Sequence, residues 1–350
     1  MELIKFLSIT TAGILLFLAM SNTVHAQDHE KGITIDIARK HYSIQTLKAI
    51  IDEISANGGN YLQLHFSDNE NYAIASDFLG QNSENTNDTY LTKNELLSLI
   101  NYSNDRNILV IPDIDLPSHS NGWLRLIEAK DRQLYDMIKT DYSDDTLDYH
   151  QNIEALNTAN SLLKEVLELF YQPKFDGKQR IVLGGDEVPG SEAHQSDFID
   201  FMNQIAKTAK QNNYQPQMWN DSITPDGIPQ LDRSYSILYW QQRTLSDGGE
   251  SLTVEDFEKW GFSVYNYNAY SLYFLPSARF TQEDIAEQID YMSWAYAYNK
   301  FYYLSDYYQT VDTANIKGAG LTFWGEDAGD LNQEQLLEQE LPLIRSFLQS

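Results

Sequence analysis

The sequence predicts an α/β protein built as a single (β/α)8 barrel. Short runs of β-branched and aromatic residues alternate with longer segments whose apolar residues recur every three or four positions, a pattern that indicates strands alternating with helices. Such alternation is typical of parallel sheets, and eight units within about 320 residues match the size of one barrel. A doubly wound open sheet is the alternative that this pattern leaves open.

Eight segments are strand candidates and seven are helix candidates. In chain order, the strands are predicted at Ile33–Ile37, Tyr61–Phe66, Ile108–Ile114, Arg180–Leu183, Gln217–Asn220, Ser236–Trp240, Ser263–Asn268 and Gly320–Trp324. The helices are predicted at 43–57, 92–105, 153–171, 193–212, 253–260, 282–298 and 331–349. The unit after the fifth strand is short, and the region 116–152 is long and irregular. No linker-like composition divides the chain, so we expect one barrel domain over residues 27–350.

Residues 1–26 have the features of a signal peptide. Lys5 precedes a largely apolar run from Phe6 to Met20, and Val24-His25-Ala26 resembles a cleavage site. A single membrane anchor is the alternative, because the run is not far short of a spanning length. We expect cleavage before Gln27 and a secreted, extracellular protein with no membrane contact after that cleavage.

The composition excludes several classes of protein. The chain has 51 acidic and 24 basic residues, a formal net charge of −27 and no cysteine. Without cysteine there is no disulfide framework, thiolate zinc site, iron–sulfur cluster or cysteine nucleophile. Binding to nucleic acid requires clustered Lys and Arg to neutralise phosphates, so no nucleic-acid partner is expected. The motifs of P-loop proteins and of zinc peptidases are also absent from the sequence.

The ends of the predicted strands carry carboxylates and aromatic rings, and these ends are where a barrel places its chemistry. They include three of the six tryptophans, Trp219, Trp240 and Trp324. Aromatic rings pack against the C–H faces of sugars, and carboxylates bind sugar hydroxyls, so the mixture favours a carbohydrate site. The alternative is that the tryptophans only fill space between strands and helices.

The most informative motif is Gly184-Gly185-Asp186-Glu187, at the end of the fourth predicted strand. Two glycines allow a ligand to approach the backbone closely. Two adjacent carboxyl groups can take different chemical roles if their surroundings separate their pKa values. From these residues alone, a Gly-Gly turn followed by an acidic helix N-terminus is the alternative.

In its context, this motif resembles glycoside hydrolase family 20, the β-N-acetylhexosaminidases. Matching stretches follow in order from Gly32 to Ala328: Asp36–Arg39, Ser55–Asn60, Leu64–Asp68, Glu70–Ile74, Leu183–Glu187, Met218–Asp221, Tyr239-Trp240, Asn266–Asn268 and Trp324–Asp327. The resemblance implies a catalytic (β/α)8 barrel that needs no metal or organic cofactor. It also implies retaining hydrolysis in which the 2-acetamido group of the substrate attacks the anomeric carbon.

The resemblance further implies roles for individual residues. Glu187 would be the general acid, and Asp186 would orient the acetamido group and stabilise the charge that develops on it. Asp68 and His119 would contact the acid and tune its pKa. The other implied substrate-binding residues are Arg39 and Glu326 for ring hydroxyls, Tyr273 for the acetamido oxygen, and Trp219, Trp240 and Trp324 for the pocket walls.

Several alternatives stay open for single residues. His119 could be a loop histidine with a backbone partner, Arg39 could form a surface ion pair, and Tyr273 could be a core residue with Tyr270 as the contact. The chain also departs from the family pattern. Val182 occupies the position of a usual histidine, which removes one polar group, and the residues after Glu187 lack an aromatic side chain.

The resemblance leads us to expect a monomeric enzyme that cleaves β-1,6-linked poly-N-acetylglucosamine of the biofilm matrix. The sequence leaves open whether the enzyme also accepts partly deacetylated polymer. One alternative is an exo-β-N-acetylhexosaminidase acting on β-1,4 chitooligosaccharides. A carbohydrate-binding barrel without catalysis is the other. The sequence does not distinguish β-1,6 from β-1,4 linkage or endo from exo action.

Overall fold

Eight parallel strands close into a barrel in the computed structural model, which describes residues 29–304 and 308–350. In the described residues the strands are β1 (Glu30–Asp36), β2 (Tyr61–Ser67), β3 (Leu109–Leu116), β4 (Arg180–Gly184), β5 (Gln215–Trp219), β6 (Ser236–Tyr239), β7 (Ser263–Asn266), β8 (Tyr273–Phe274), β9 (Lys300–Tyr302), β10 (Tyr308–Thr310) and β11 (Ile316–Phe323). The barrel runs from β1 to β7 in order, then to β11, which pairs in parallel with β1. This closure excludes the open sheet and confirms the predicted fold class. The predicted signal peptide lies outside the described residues.

Helices cover the outside of the barrel. They are α1 (Ile44–Ala56), α2 (Lys93–Asp105), α3 (Asn121–Lys130), α4 (Arg132–Ile138), α5 (Ile153–Leu169), α6 (Gln195–Gln211), α7 (Val254–Lys259), α8 (Ala269–Leu272), α9 (Gln282–Ala295) and α10 (Gln333–Gln349). Side-chain N-caps begin several of them, as where the Thr92 hydroxyl accepts from the Glu95 N–H. None of the described helices combines the length and apolar character needed to cross a membrane.

All eight predicted barrel strands are present, but several ends are shifted. The largest shift is in β11, which begins at Ile316 instead of Gly320. Gly318 and Gly320 weaken the β-branched pattern in this strand. The barrel needs small residues there, since a Cβ on Gly318 would lie 2.2 Å from the Glu30 carbonyl oxygen and one on Gly320 would lie 2.3 Å from the Tyr267 ring.

The region 116–152, predicted to be irregular, contains α3 and α4. Asp131 ends α3 and caps α4, where its side chain accepts from the Leu134 N–H. Trp123, Leu124 and Ile127 bury one face of α3. The prediction was wrong because the break at Asp131 leaves two helices of only ten and seven residues, too short for clear periodicity.

Two further features were not predicted. The two-residue strand β8 pairs with the end of β11, with Tyr273 opposite Thr322, so Tyr273 lies at the rim of the barrel. After α9, which ends at Ala295 and not at 298, the strands β9 and β10 form an antiparallel pair. Strands of two or three residues are too short to show alternation.

Candidate active site

The end of β4 presents two adjacent carboxyl groups in different surroundings. Gly184 and Gly185 have φ values of +78° and +91°, and a Cβ on Gly184 would lie 2.4 Å from the Leu116 nitrogen. This backbone requires glycine. It directs the Asp186 side chain, which is 15% exposed, into the barrel mouth, whereas the Glu187 side chain is 58% exposed.

Asp186 is poised to accept a hydrogen bond from a ligand. Its Oδ1 is buried and has no hydrogen-bond partner among the described residues. Burial raises the pKa of Asp186, whereas the positive charge of His119 acts to lower it. Burial and the nearby charge of Asp186 also raise the pKa of Asp115. Each carboxyl of this buried pair therefore holds a proton more readily than an exposed aspartate does.

Of the two residues expected to contact Glu187, only His119 does so, and Asp68 in turn contacts His119. His119 Nε2 lies 3.5 Å from Glu187 Oε2, and His119 Nδ1 lies 3.3 Å from Asp68 Oδ1. Burial acts to lower the pKa of His119, but the hydrogen bonds with Asp68 and Glu187 raise it to about 12. The protonated imidazole in turn lowers the pKa of Glu187, against the opposing effect of burial. In the ligand-free site, Glu187 is thus a carboxylate.

Arg39 joins four carboxylates at the rim. Its guanidinium contacts Asp36 at 2.9 Å, Asp68 at 2.7 Å and Glu70 at 3.5 Å, and it approaches Glu326 at 4.0 Å. Only 13% of the Arg39 side chain is exposed. Arg39 is therefore a buried bridge and not a surface ion pair.

One group within this network has ligand atoms close enough together to hold a metal ion. His65, Asp68 and Asp115 each offer an atom within 4.8 Å of the others, and all three are buried. These atoms already interact with one another, since His65 Nε2 lies 2.8 Å from Asp68 Oδ2. Arg39 neutralises the same Asp68 oxygen at 2.7 Å, which disfavours a cation there.

Aromatic rings form the walls and floor beside these carboxyls. Trp240 and Tyr273 are parallel, with centroids 5.9 Å apart and planes 4° apart, and Tyr273 contacts Trp324 edge to face at 5.6 Å. Trp219 is 1% exposed and lies 6.2 Å from Trp324, so it belongs to the floor and not to a wall. Beneath it, Val182 packs in an apolar cluster inside the barrel, where a histidine would need a polar partner.

Asp221 is a functional residue that the sequence analysis did not single out. Its Oδ2 accepts from the Glu187 N–H at 3.0 Å, and its Oδ1 accepts from Trp240 Nε1 at 3.0 Å. One carboxyl therefore fixes both the acidic residue and a pocket wall. Burial and the charge of Asp186 raise the pKa of Asp221 to about 7. The sequence signal was its place two residues after Trp219, at the end of a barrel strand.

Continuous contacts join the ten candidate residues of the sequence analysis. Asp68, His119, Asp186 and Glu187 form one side, Arg39 and Glu326 the next, and Trp324, Tyr273, Trp240 and Trp219 complete the pocket. His119 has carboxylate partners where a simple loop histidine would have a backbone partner. Tyr270, the alternative to Tyr273, is 53% exposed.

Comparisons with known proteins agree with this geometry. The family model described as glycosyl hydrolase family 20, catalytic domain, matches residues 29–337. The crystal structure of dispersin B superposes with a TM-score of 0.84 at 28% identity, covering 91% of this chain and 98% of that one. A structure of the tandem catalytic modules of a pneumococcal exo-β-D-N-acetylglucosaminidase shares the fold, with a TM-score of 0.72 at 21% identity over 92% of this chain and 82% of that one.

Among curated proteins, the β-hexosaminidase subunit beta of Entamoeba histolytica is 28% identical over 169 residues. That alignment covers 45% of this chain but only 28% of the amoebal protein. The family match extends over most of the chain and includes every candidate site residue. This chain belongs to glycosyl hydrolase family 20.

Proposed function

We propose that this chain is a secreted β-N-acetylglucosaminidase that cleaves β-1,6-linked poly-N-acetylglucosamine by a substrate-assisted retaining mechanism. The observation that carries the proposal is the pair Asp186 and Glu187, two neighbouring carboxyls of which one is buried with a free oxygen and the other faces solvent. Because their surroundings differ, the two carboxyls can take different chemical roles in one reaction.

Asp186 acts on the acetamido group of the substrate. Its unpartnered Oδ1 accepts a hydrogen bond from the acetamido N–H, which directs the acetamido carbonyl oxygen toward the anomeric carbon. As that oxygen attacks, positive charge develops on the ring formed with the acetamido group. The Asp186 carboxylate stabilises this charge inside a site from which water is largely excluded.

Glu187 protonates the leaving oxygen. In the free protein its pKa is lowered by His119, so a bound sugar must raise that pKa before Glu187 can act as an acid. A sugar ring over the 58% exposed side chain removes water from the carboxyl, and desolvation raises a carboxyl pKa. Once the glycosidic bond has broken, the Glu187 carboxylate takes a proton from water, which opens the intermediate with retention.

The pocket walls define the first sugar. The Trp240 and Trp324 rings offer flat faces for its C–H bonds, and Tyr273 lies between them to reach the acetamido oxygen. Glu326 is 45% exposed and only 4.0 Å from Arg39, so its carboxylate is free to accept from ring hydroxyls.

Support for the polymer comes from the similarity to dispersin B, which covers nearly the whole of both chains. Support for secretion comes from the apolar run and the cleavage-like tripeptide within residues 1–26. The acidic composition also suits a partly deacetylated, cationic polymer.

The linkage is tested by product analysis. Purified protein is incubated with β-1,6-linked and β-1,4-linked N-acetylglucosamine oligomers, and the products are identified by mass spectrometry. We expect preferential cleavage of the β-1,6 series. Preference for the β-1,4 series would instead identify a chitooligosaccharide hexosaminidase, and cleavage of neither would favour the binding barrel.

The mechanism is tested by two variants at the carboxyl pair. Glu187→Gln should lower kcat by about a hundredfold or more, because the amide cannot donate the proton. Asp186→Asn should strongly reduce the rate of hydrolysis of an N-acetylglucosaminide. The matching glucoside lacks the acetamido group and is hydrolysed only weakly, and its rate should hardly change. Equal losses on the two glycosides would contradict substrate assistance.

A further inference from the structure

We propose that a strip of aromatic rings on the outside of the barrel binds saccharide residues of the polymer beyond the pocket. The strip consists of Tyr270, Tyr291, Trp294, Tyr302 and Tyr308. This inference rests on the proposed function, since the strip's ligand is the same aminosugar polymer that the pocket would cleave.

The strip holds the most exposed aromatic rings among the described residues. Trp294 is 59% exposed, Tyr270 is 53% exposed and Tyr308 is 52% exposed. Contiguous exposed apolar surface on a soluble protein commonly marks an interaction site. These rings come from α8, α9 and β10, so the fold gathers them from separate parts of the chain.

The Tyr270, Tyr302 and Tyr308 rings form a row in which neighbouring ring planes are tilted by 33° and 57°. The Tyr270 and Tyr302 centroids are 5.9 Å apart, and the Tyr302 and Tyr308 centroids are 5.8 Å apart. Tyr291 and Trp294 pack edge to face at 4.9 Å beside this row.

Neighbouring groups hold the row in place. Lys300 Nζ lies 3.9 Å from the Tyr308 ring centroid and donates to the Trp294 carbonyl oxygen at 2.8 Å. Tyr291 Oη donates to the Tyr270 carbonyl oxygen at 2.5 Å. Rings that are already ordered lose little conformational entropy on binding, which favours their use as a fixed platform.

The strip is joined to the pocket by a short stretch of chain and by one side chain. Tyr270 lies three residues before Tyr273, which belongs to the pocket. The Asn268 side-chain amide donates to the Tyr302 carbonyl oxygen at 3.1 Å and to the Trp240 carbonyl oxygen at 3.4 Å. The buried Asn268 side chain therefore fixes the main chain of a pocket wall relative to the main chain of the strip.

The chemistry of the strip matches a saccharide. All five members are ring side chains and four of them carry a phenol hydroxyl at the ring edge. A sugar residue presents C–H groups to a ring face and hydroxyls at its own edge, so the exposed Tyr270 and Tyr308 can each pack against and hydrogen-bond the same residue. A second copy of the chain is the competing occupant, and the test separates the two.

The test compares Trp294→Ser/Tyr308→Ser with Tyr171→Ser, a control at a 48% exposed tyrosine outside the strip. Binding to β-1,6-linked poly-N-acetylglucosamine is measured by affinity electrophoresis in the Glu187→Gln background, so that the polymer is not cut. The double variant should bind the polymer roughly tenfold more weakly, and the control should bind as the parent does. With Glu187 intact, all variants should hydrolyse 4-nitrophenyl N-acetyl-β-D-glucosaminide at the parental rate.

Unchanged polymer binding by the double variant would overturn the role of the strip while leaving the proposed function in place. So would a parent protein that sediments as a dimer and becomes monomeric with these substitutions. A parent that neither hydrolyses the small glycoside nor binds the polymer would overturn the proposed function and the strip together.

Discussion

Each end of the barrel has a buried arginine, and the two arginines differ in what surrounds them. At the end opposite the pocket, Arg180 donates to Glu30 at 2.7 Å and to the Tyr265 hydroxyl at 2.6 Å, and it lies over the Tyr61 ring at 4.7 Å. At the pocket, Arg39 faces four carboxylates.

The surroundings of the two arginines also differ in their buried polar atoms that lack a hydrogen bond. None of the side-chain polar atoms of Arg180, Glu30, Tyr61 and Tyr265 is buried without a hydrogen bond. Around the pocket, by contrast, Oδ1 of Asp186, Oδ1 of Asp115 and Nε1 of Trp219 are buried and unpartnered. Unpaired buried polar atoms destabilise a fold, so the unpartnered Asp186 Oδ1 at the barrel mouth indicates that a ligand completes it.

The largest expected effect is at Arg39. Arg39→Lys keeps a positive charge but cannot bridge carboxylates that approach from different sides, because an ammonium lacks the planar fork of a guanidinium. We expect kcat/KM on 4-nitrophenyl N-acetyl-β-D-glucosaminide to fall by about a hundredfold, since Asp68 and Glu326 shift with it. Near-parental activity would show that the network is only structural.

The matched substitution Arg180→Lys should act on stability alone. It removes the stacking on the Tyr61 ring and one of two hydrogen bonds but keeps a charge opposite Glu30, whose side chain is 43% exposed, so we expect a loss of about 1–2 kcal/mol. Urea unfolding should show this loss, while kcat/KM stays within about twofold of the parent, a change of less than about 0.5 kcal/mol. Loss of activity in the folded variant would contradict the contrast between the two ends.

Asp221→Asn should have an intermediate effect. The amide replaces one of two acceptor oxygens with a donor, so either the Glu187 N–H or Trp240 Nε1 loses its partner. We expect kcat to fall about tenfold, because the loss of one buried hydrogen bond leaves Glu187 or Trp240 less precisely positioned.

The pH dependence of stability provides a second readout for Asp221. Its folded pKa of about 7 lies above that of an exposed carboxyl, so the folded protein holds this proton more tightly than the unfolded chain does. The unfolding free energy contributed by Asp221 therefore falls as pH rises from about 4 to about 7. Asp221→Asn should flatten stability over that range, and an unchanged pH profile would argue against the raised pKa.

The smallest effect is a shift in a pH profile. In the free protein the protonated His119 lowers the pKa of Glu187, and kcat/KM falls when Glu187 loses its proton as pH rises. His119→Gln removes the positive charge, so the Glu187 pKa rises and the alkaline decline of kcat/KM should move to higher pH. His194→Gln, at an exposed histidine, serves as the control. A decline that stays in place would assign the titration to another group.

Local signals made the barrel predictable. Seven helix segments and eight strand segments differ in the period of their apolar residues, and this period is visible without knowledge of contacts. The carboxyl pair was also predictable because it lies within one short motif at a strand end.

What could not be predicted depends on residues far apart in the chain. The role of Asp221 requires that β5 deliver its carboxyl to the Glu187 N–H of another unit, and no local pattern records that contact. Likewise, Trp219 and Trp240 both lie at the ends of predicted strands, so the sequence does not distinguish them. In the fold, Trp219 is buried and Trp240 is partly exposed. The strands β9 and β10 were not predicted because each has only three residues.

The backbone conformation of His119 and Glu187 affects which substitutions stabilise the protein. His119 and Glu187 adopt φ values of 50° and 48°, a left-handed conformation that disfavours side chains other than glycine by about 1 kcal/mol each. Glycine at either position would relax the chain and remove a reacting or supporting group at the same step. Selection for thermal robustness alone would therefore drive these positions toward inactive sequences, and only selection for turnover would preserve them.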